Sequence, residues 1–167
     1  MGAGKTSVLA EASDILTARG IVHAAIDLDA LGTAHLPAGA PDDLEIRNLA
    51  ALWNNYAAAG VSRVLIACAV ETAGELERIR QSVAAADTVV VRLTASVDTM
   101  QRRIALRETG LLQPAFLARV KELESILDAV SVENFSISND QRSVTEVARE
   151  LLVRAGWLDR SDIAGTV

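Results

Sequence analysis

Apolar positions recur along this chain at two alternating periods. In residues 6–19, Val8, Leu9, Ala12, Ile15 and Leu16 fall on one helical face, and Gly20 follows as a stop. Residues 21–28 read as a strand that ends at Asp27-Leu28-Asp29. A loop at 32–41 holds Gly32, Pro37, Gly39 and Pro41. Asp42, with Glu45 three residues on, predicts a capped helix that carries Leu44, Leu49, Leu52, Trp53 and Tyr56 and stops at Gly60. Residues 63–70 are a nearly continuous apolar run, the pattern of a strand covered on both faces. Thr72 and Glu75 form a capping-box pattern for a helix to about residue 86. A strand follows at 89–93, then a helix capped by Ser96 that runs through 107. Gly110 and Pro114 break the chain before a helix at 115–129. Residues 134–138 are a short strand, and Ser143 and Glu146 cap a last helix ending near Gly156. Strands alternating with helices predict an α/β fold with a parallel sheet.

Composition narrows the class. At 167 residues the chain is long enough for one domain with a sizeable core; we expect that domain over 1–157 and a C-terminal tail over 158–167. No apolar run reaches membrane-spanning length, so no membrane partner is expected. A net charge of −6 without a basic stripe argues against a nucleic-acid partner. The single cysteine, Cys68, lies in an apolar run, reads as packing, and suits a reduced cytoplasm.

The chemistry sits at the start. Met1-Gly2-Ala3-Gly4-Lys5-Thr6-Ser7 contains the closing G-K-T of a phosphate-binding loop, G-x-x-x-x-G-K-[ST]. Its opening glycine would fall two positions before Met1, with the strand that leads into it, so the chain reads as N-terminally truncated. Glycines at 2 and 4 let backbone N–H groups converge on a phosphate, and the helix that follows adds its own N-terminal donors and dipole. Lys5 can reach the β- and γ-phosphates, and the Thr6 hydroxyl can ligate Mg²⁺. Asp27 and Asp29 lie at a strand's C-terminal end, where open α/β sheets bind ligands. Side chains two apart on a strand point the same way, so both carboxylates are expected to face one crevice.

This loop, the Asp-x-Asp, the helical insert and the arginines after the fourth strand resemble the P-loop small-molecule kinases of the nucleoside-monophosphate-kinase-like group. Shikimate kinase, gluconate kinase, adenylylsulfate kinase and chloramphenicol phosphotransferase are similar in this order of elements. The resemblance covers about residues 1–157 and implies a three-layer P-loop NTPase fold, sheet order 2-3-1-4-5, with the first strand missing from this chain. It implies ATP and Mg²⁺, the nucleotide held by Gly2, Ala3, Gly4, Lys5, Thr6 and Ser7. It places Asp27 beside Thr6 as metal support, and Asp29 at the acceptor as its base or binding group. Arg103 and Arg107, four apart on one helical face before a lid-like segment at 108–114, would hold the transferred phosphoryl group, with Arg102 half off that face. The loop after the last strand, 139–143, would flank adenine, with Arg142 a stacking partner. The implied activity is phosphoryl transfer from ATP to a small-molecule acceptor. A regulatory nucleotide-binding protein without kinase activity and an inactive truncated product stay open beside it. His23 and His35 have no ligand spacing.

Overall fold

A computed structural model describes residues 1–39, 41–84 and 87–159. Their contacts gather into two compact units, one of residues 13–88 and one of residues 1–12 with those from Val89 onward. Helix α1 (Lys5–Ala18) begins in one unit and ends in the other.

In the unit of residues 13–88, the chain runs β1 (Ala24–Asp27), α2 (Leu28–Leu31), α3 (Leu44–Ala58), β2 (Val64–Ala67) and α4 (Ala73–Ser82). The two strands pair in parallel, from Ala24 opposite Val64 to Asp27 opposite Ala67. Buried Ile26, Leu28, Leu49, Ile79 and Val83 form the core, and Trp53, Tyr56 and Cys68 pack against it. Cys68 is therefore a packing residue, as its apolar setting suggests. The first strand is shorter than its apolar run because each end is claimed by a local bond. His23 Nδ1 donates to the Ile21 carbonyl (2.8 Å), which leaves Nε2 to accept from the Ser13 hydroxyl (2.8 Å). At the other end Asp27 Oδ1 accepts from the Asp29 N–H (3.2 Å) and caps α2. Asp29 therefore stands on a helical turn, and the alternation of side chains along a strand does not govern it.

Two caps in this unit behave differently. Thr72 and Glu75 form the full capping box, with Glu75 Oε2 accepting from the N–H groups of Thr72 (3.2 Å) and Glu71 (2.7 Å). Asp42 caps nothing; Asp43 holds the N-cap position without a side-chain bond. Glu45 does not fold back there because its carboxylate lies over Gly32, where an added Cβ would meet Oε2 at 3.0 Å. Helix α4 ends at Ser82, short of the expected residue 86, and Ala84 follows at a left-handed φ of 45°.

The other unit holds the start of α1, then β3 (Val91–Thr94), α5 (Val97–Arg107), α6 (Gln113–Val130), β4 (Phe135–Ser138) and α7 (Val144–Arg154). Its strands pair in parallel from Val91 opposite Phe135 to Thr94 opposite Ser138. Ala3, Met100, Ile104 and Val120 are the buried core, joined by Leu93, Phe116 and Leu117. Ser96 caps α5, and Ser143 with Glu146 makes the second full capping box. Helix α6 starts before residue 115 because proline is tolerated in a first turn, and Pro114 sits in it. Arg92 on β3 reaches Asp128 (2.7 Å), Glu124 (3.3 Å) and Glu133 (3.8 Å). Burial alone would lower its pKa, but the three carboxylates raise it above the usual value. Leu158, within the expected tail, is buried, and residues 160–167 of that tail lie outside the described residues.

The described strands form two parallel pairs, β1·β2 and β3·β4. No described helix is long and apolar enough to cross a membrane.

Candidate functional site

Gly2 and Gly4 both take left-handed backbone conformations, at φ 75° and 93°. Such angles strain any residue with a Cβ. Space forbids one as well: a Cβ at Gly2 would lie 2.7 Å from the Met100 carbonyl oxygen, and one at Gly4 would run into Asn139 Nδ2. Between them Ala3 is buried. Helix α1 starts at once, with Val8 N–H donating to the Gly4 carbonyl at 2.9 Å. A helix leaves its first N–H groups without intrahelical acceptors, so Lys5, Thr6 and Ser7 present donors where a phosphate can take them. Lys5 is half-buried, while Thr6 and Ser7 are exposed.

The turn is held from behind. Asn139, the only buried polar residue recorded among the described residues, donates from Nδ2 to the Ala3 carbonyl at 2.7 Å. Its own N–H donates to the Thr94 carbonyl (2.8 Å), continuing the β3·β4 pairing past Ser138. Arg103 on α5 donates to the Gly2 carbonyl (3.3 Å) and to the backbone carbonyl of Asn139 (2.9 Å). Next to it, Asp140 accepts from the Ser96 N–H at 2.7 Å. That bond is the main reason its carboxyl is held below the usual range, with the Thr99 hydroxyl second.

The carboxylates belong to the other unit. Asp27 is half-buried and caps α2; Asp29 is exposed, and its backbone carbonyl accepts from the Thr33 hydroxyl (3.1 Å). After α2 an open depression of about 410 Å³ is lined by Leu31, Leu36, Pro37, Asp42, Glu45 and Asn48, among others. Asn48 donates to the Leu31 carbonyl at 3.0 Å and ties α3 to the end of α2.

No protein-family model matches the chain. No curated protein matches it either. Solved structures do. A sugar kinase from Janibacter sp. HTCC2649, in an unliganded structure, aligns with a TM-score of 0.63 at 21% identity, over 100% of this chain and 94% of its own. A gluconokinase from Sinorhizobium meliloti 1021 aligns with a TM-score of 0.57 at 21% identity, over 99% of this chain and 93% of its own. The chain shares the fold of these two structures.

The remaining arginines are engaged in different ways. Arg107 ends α5, is mostly exposed, and pairs with the neighbouring Glu108 at 2.7 Å. Arg102 donates to the Thr99 hydroxyl at 3.4 Å. Arg142 follows β4 and is bound to Glu150 (2.7 Å) and to the Ser138 and Glu146 carbonyls (each 3.3 Å). Gln113 straps the segment between α5 and α6 by donating to the carbonyls of Ala105 and Glu108. Leu106 in the last turn of α5, and Leu111 and Leu112 on that segment, are exposed. Sequence reasoning placed Asn139 only in a loop beside the base. Its grip on Ala3 crosses 136 residues, and the only local signal is an amide directly after the apolar–polar alternation of β4.

Proposed function

We propose that this chain is an ATP-dependent phosphotransferase acting on a hydroxyl of a small sugar-like metabolite in the cytoplasm. The observation that carries the reading is the Gly2-Ala3-Gly4 turn, with two left-handed glycines, opening α1 at Lys5. Neighbours described as a sugar kinase and a gluconokinase support the acceptor class. The described lining of the depression after α2 includes two carboxylates and no cationic side chain, which favours an uncharged polyol over a sugar acid.

The residues present fit a triphosphate. The turn leaves no side chain at Gly2 or Gly4 to fill the concavity, and a helix N-terminus faces an anion favourably. The N–H groups of residues 2–7 hold the phosphates, and Lys5 neutralises their charge. Thr6 and Asp27 are the residues that would hold Mg²⁺, which when bound would offset charge on the phosphates. Asp29 orients the acceptor hydroxyl and takes its proton as that oxygen bonds to the γ-phosphorus and the bond to the ADP oxygen breaks. Arg107 supplies positive charge for the transferred group, Arg103 braces the backbone of the loop, and Arg142 borders the base.

The test is ADP release with MgATP and a panel of neutral sugars and sugar acids. Neutral sugars should turn over faster. Asp29→Asn should cut turnover by about two orders of magnitude, the size of a lost general base, while MgATP still binds. Unchanged turnover would remove Asp29 from the chemistry. Absence of ADP release with every hydroxylated acceptor would overturn the kinase reading.

A further inference from the structure

A peptide unit is planar and trans, so its C=O and N–H point in opposite directions. Holding a carbonyl therefore aims the next residue's N–H. The Gly2 carbonyl is held by Arg103, and this sets the Ala3 N–H. The Ala3 carbonyl is held by Asn139 Nδ2 at 2.7 Å, and this sets the Gly4 N–H. Both donors lie in the turn read above as the phosphate loop. Arg103 also grips the Asn139 backbone carbonyl at 2.9 Å, so the two holding groups are fastened to each other. Asn139 itself is fixed by its N–H on the Thr94 carbonyl and by burial to 6% exposure.

We propose that Asn139 is the positioning residue of the phosphate loop, with Arg103 as its partner: together they aim the Ala3 and Gly4 N–H groups without touching the nucleotide. The inference rests on the reading of residues 2–7 as a triphosphate site. It differs from the plain expectation for Arg103, because a guanidinium spanning two backbone carbonyls acts through the loop it braces. Asparagine suits the place for a specific reason. The Ala3 carbonyl needs a donor, and a neutral amide offers one without placing net charge against the loop. An aspartate of the same shape offers two acceptors and a negative charge.

The experiment uses the full chain and inorganic tripolyphosphate beside MgATP. Asn139→Asp keeps shape and volume but sets a buried carboxylate against the Ala3 carbonyl, so its melting midpoint should fall while unfolding stays cooperative. Affinity for tripolyphosphate and MgATP should each fall about tenfold or more, the scale of one lost buried hydrogen bond with an unsatisfied partner. Amide resonances of Ala3 and Gly4 should move in the ligand-free protein while those of α7 stay. Equal tripolyphosphate affinity in wild type and Asn139→Asp would overturn the proposal while leaving the phosphate-loop reading in place. If Asn139→Asp does not fold, Arg103→Lys carries the test, since lysine keeps the charge but lacks the planar fork that spans the two carbonyls. Unchanged tripolyphosphate affinity there would also overturn it. A wild type that binds neither ligand would fell the loop reading, and the positioning role with it.

Discussion

Asp140, Glu146 and Glu150 each keep their carboxyl below its ordinary range, each for a local reason. Asp140 accepts the Ser96 N–H, and Glu146 accepts the hydroxyl and N–H of Ser143. Burial works to raise Glu150, but hydrogen bonds from Arg142 and Arg154 outweigh it. Folded values thus lie under the ordinary 3.8 of Asp and 4.5 of Glu. Groups depressed in the folded state bind protons more readily when unfolded, so their contribution is complete above the ordinary values and is lost as pH falls through the folded ones. Urea unfolding should therefore show little change from these groups between about pH 7 and 5 and a decline below about pH 4. A stability that rises on acidification through that window would contradict the assignment. At this scale, the left-handed turns at Gly2 and Gly4 were legible because the motif's spacing calls for glycine there. Asn139 was not, because its role depends on a carbonyl far away in the chain. Asp29 was legible as a strand-end carboxylate, but its helical setting was not, because the Asp27 cap that creates it also reads as a metal ligand.

Elements were readable where start signals are local. Both observed capping boxes, Thr72–Glu75 and Ser143–Glu146, stand where the four-residue pattern puts them. Strands were overread in length, since an apolar run continues beyond the last ladder bond: residues 21–28 became Ala24–Asp27, and 63–70 became Val64–Ala67. Asp42 failed as a cap because Glu45, the other half of the pattern, is drawn over Gly32. The Ser143 box should matter, because α7 buries Val147, Ala148 and Leu152. Ser143→Ala should lower unfolding free energy by about 1 kcal/mol, the usual worth of an N-cap. Denaturant midpoints compared at unchanged slope measure this. A loss below a few tenths would mean that the helix start is held by other contacts.

At the scale of the whole molecule, alternation of period two and period 3.6 was enough to give an α/β fold with parallel pairs, and the alignments to two kinases agree with it. The acceptor was not legible. On the proposed function it would depend on the shape of the loop after α2, where proline and glycine positions mark an irregular path without describing it. The central claim is that the turn before α1 receives a triphosphate, and calorimetry with MgATP tests it most directly. Wild-type chain should bind MgATP, and Lys5→Ala should bind about tenfold or more weakly, as loss of a charge-assisted phosphate contact requires. Equal affinity of the two proteins, or no binding by the wild type, would contradict the account.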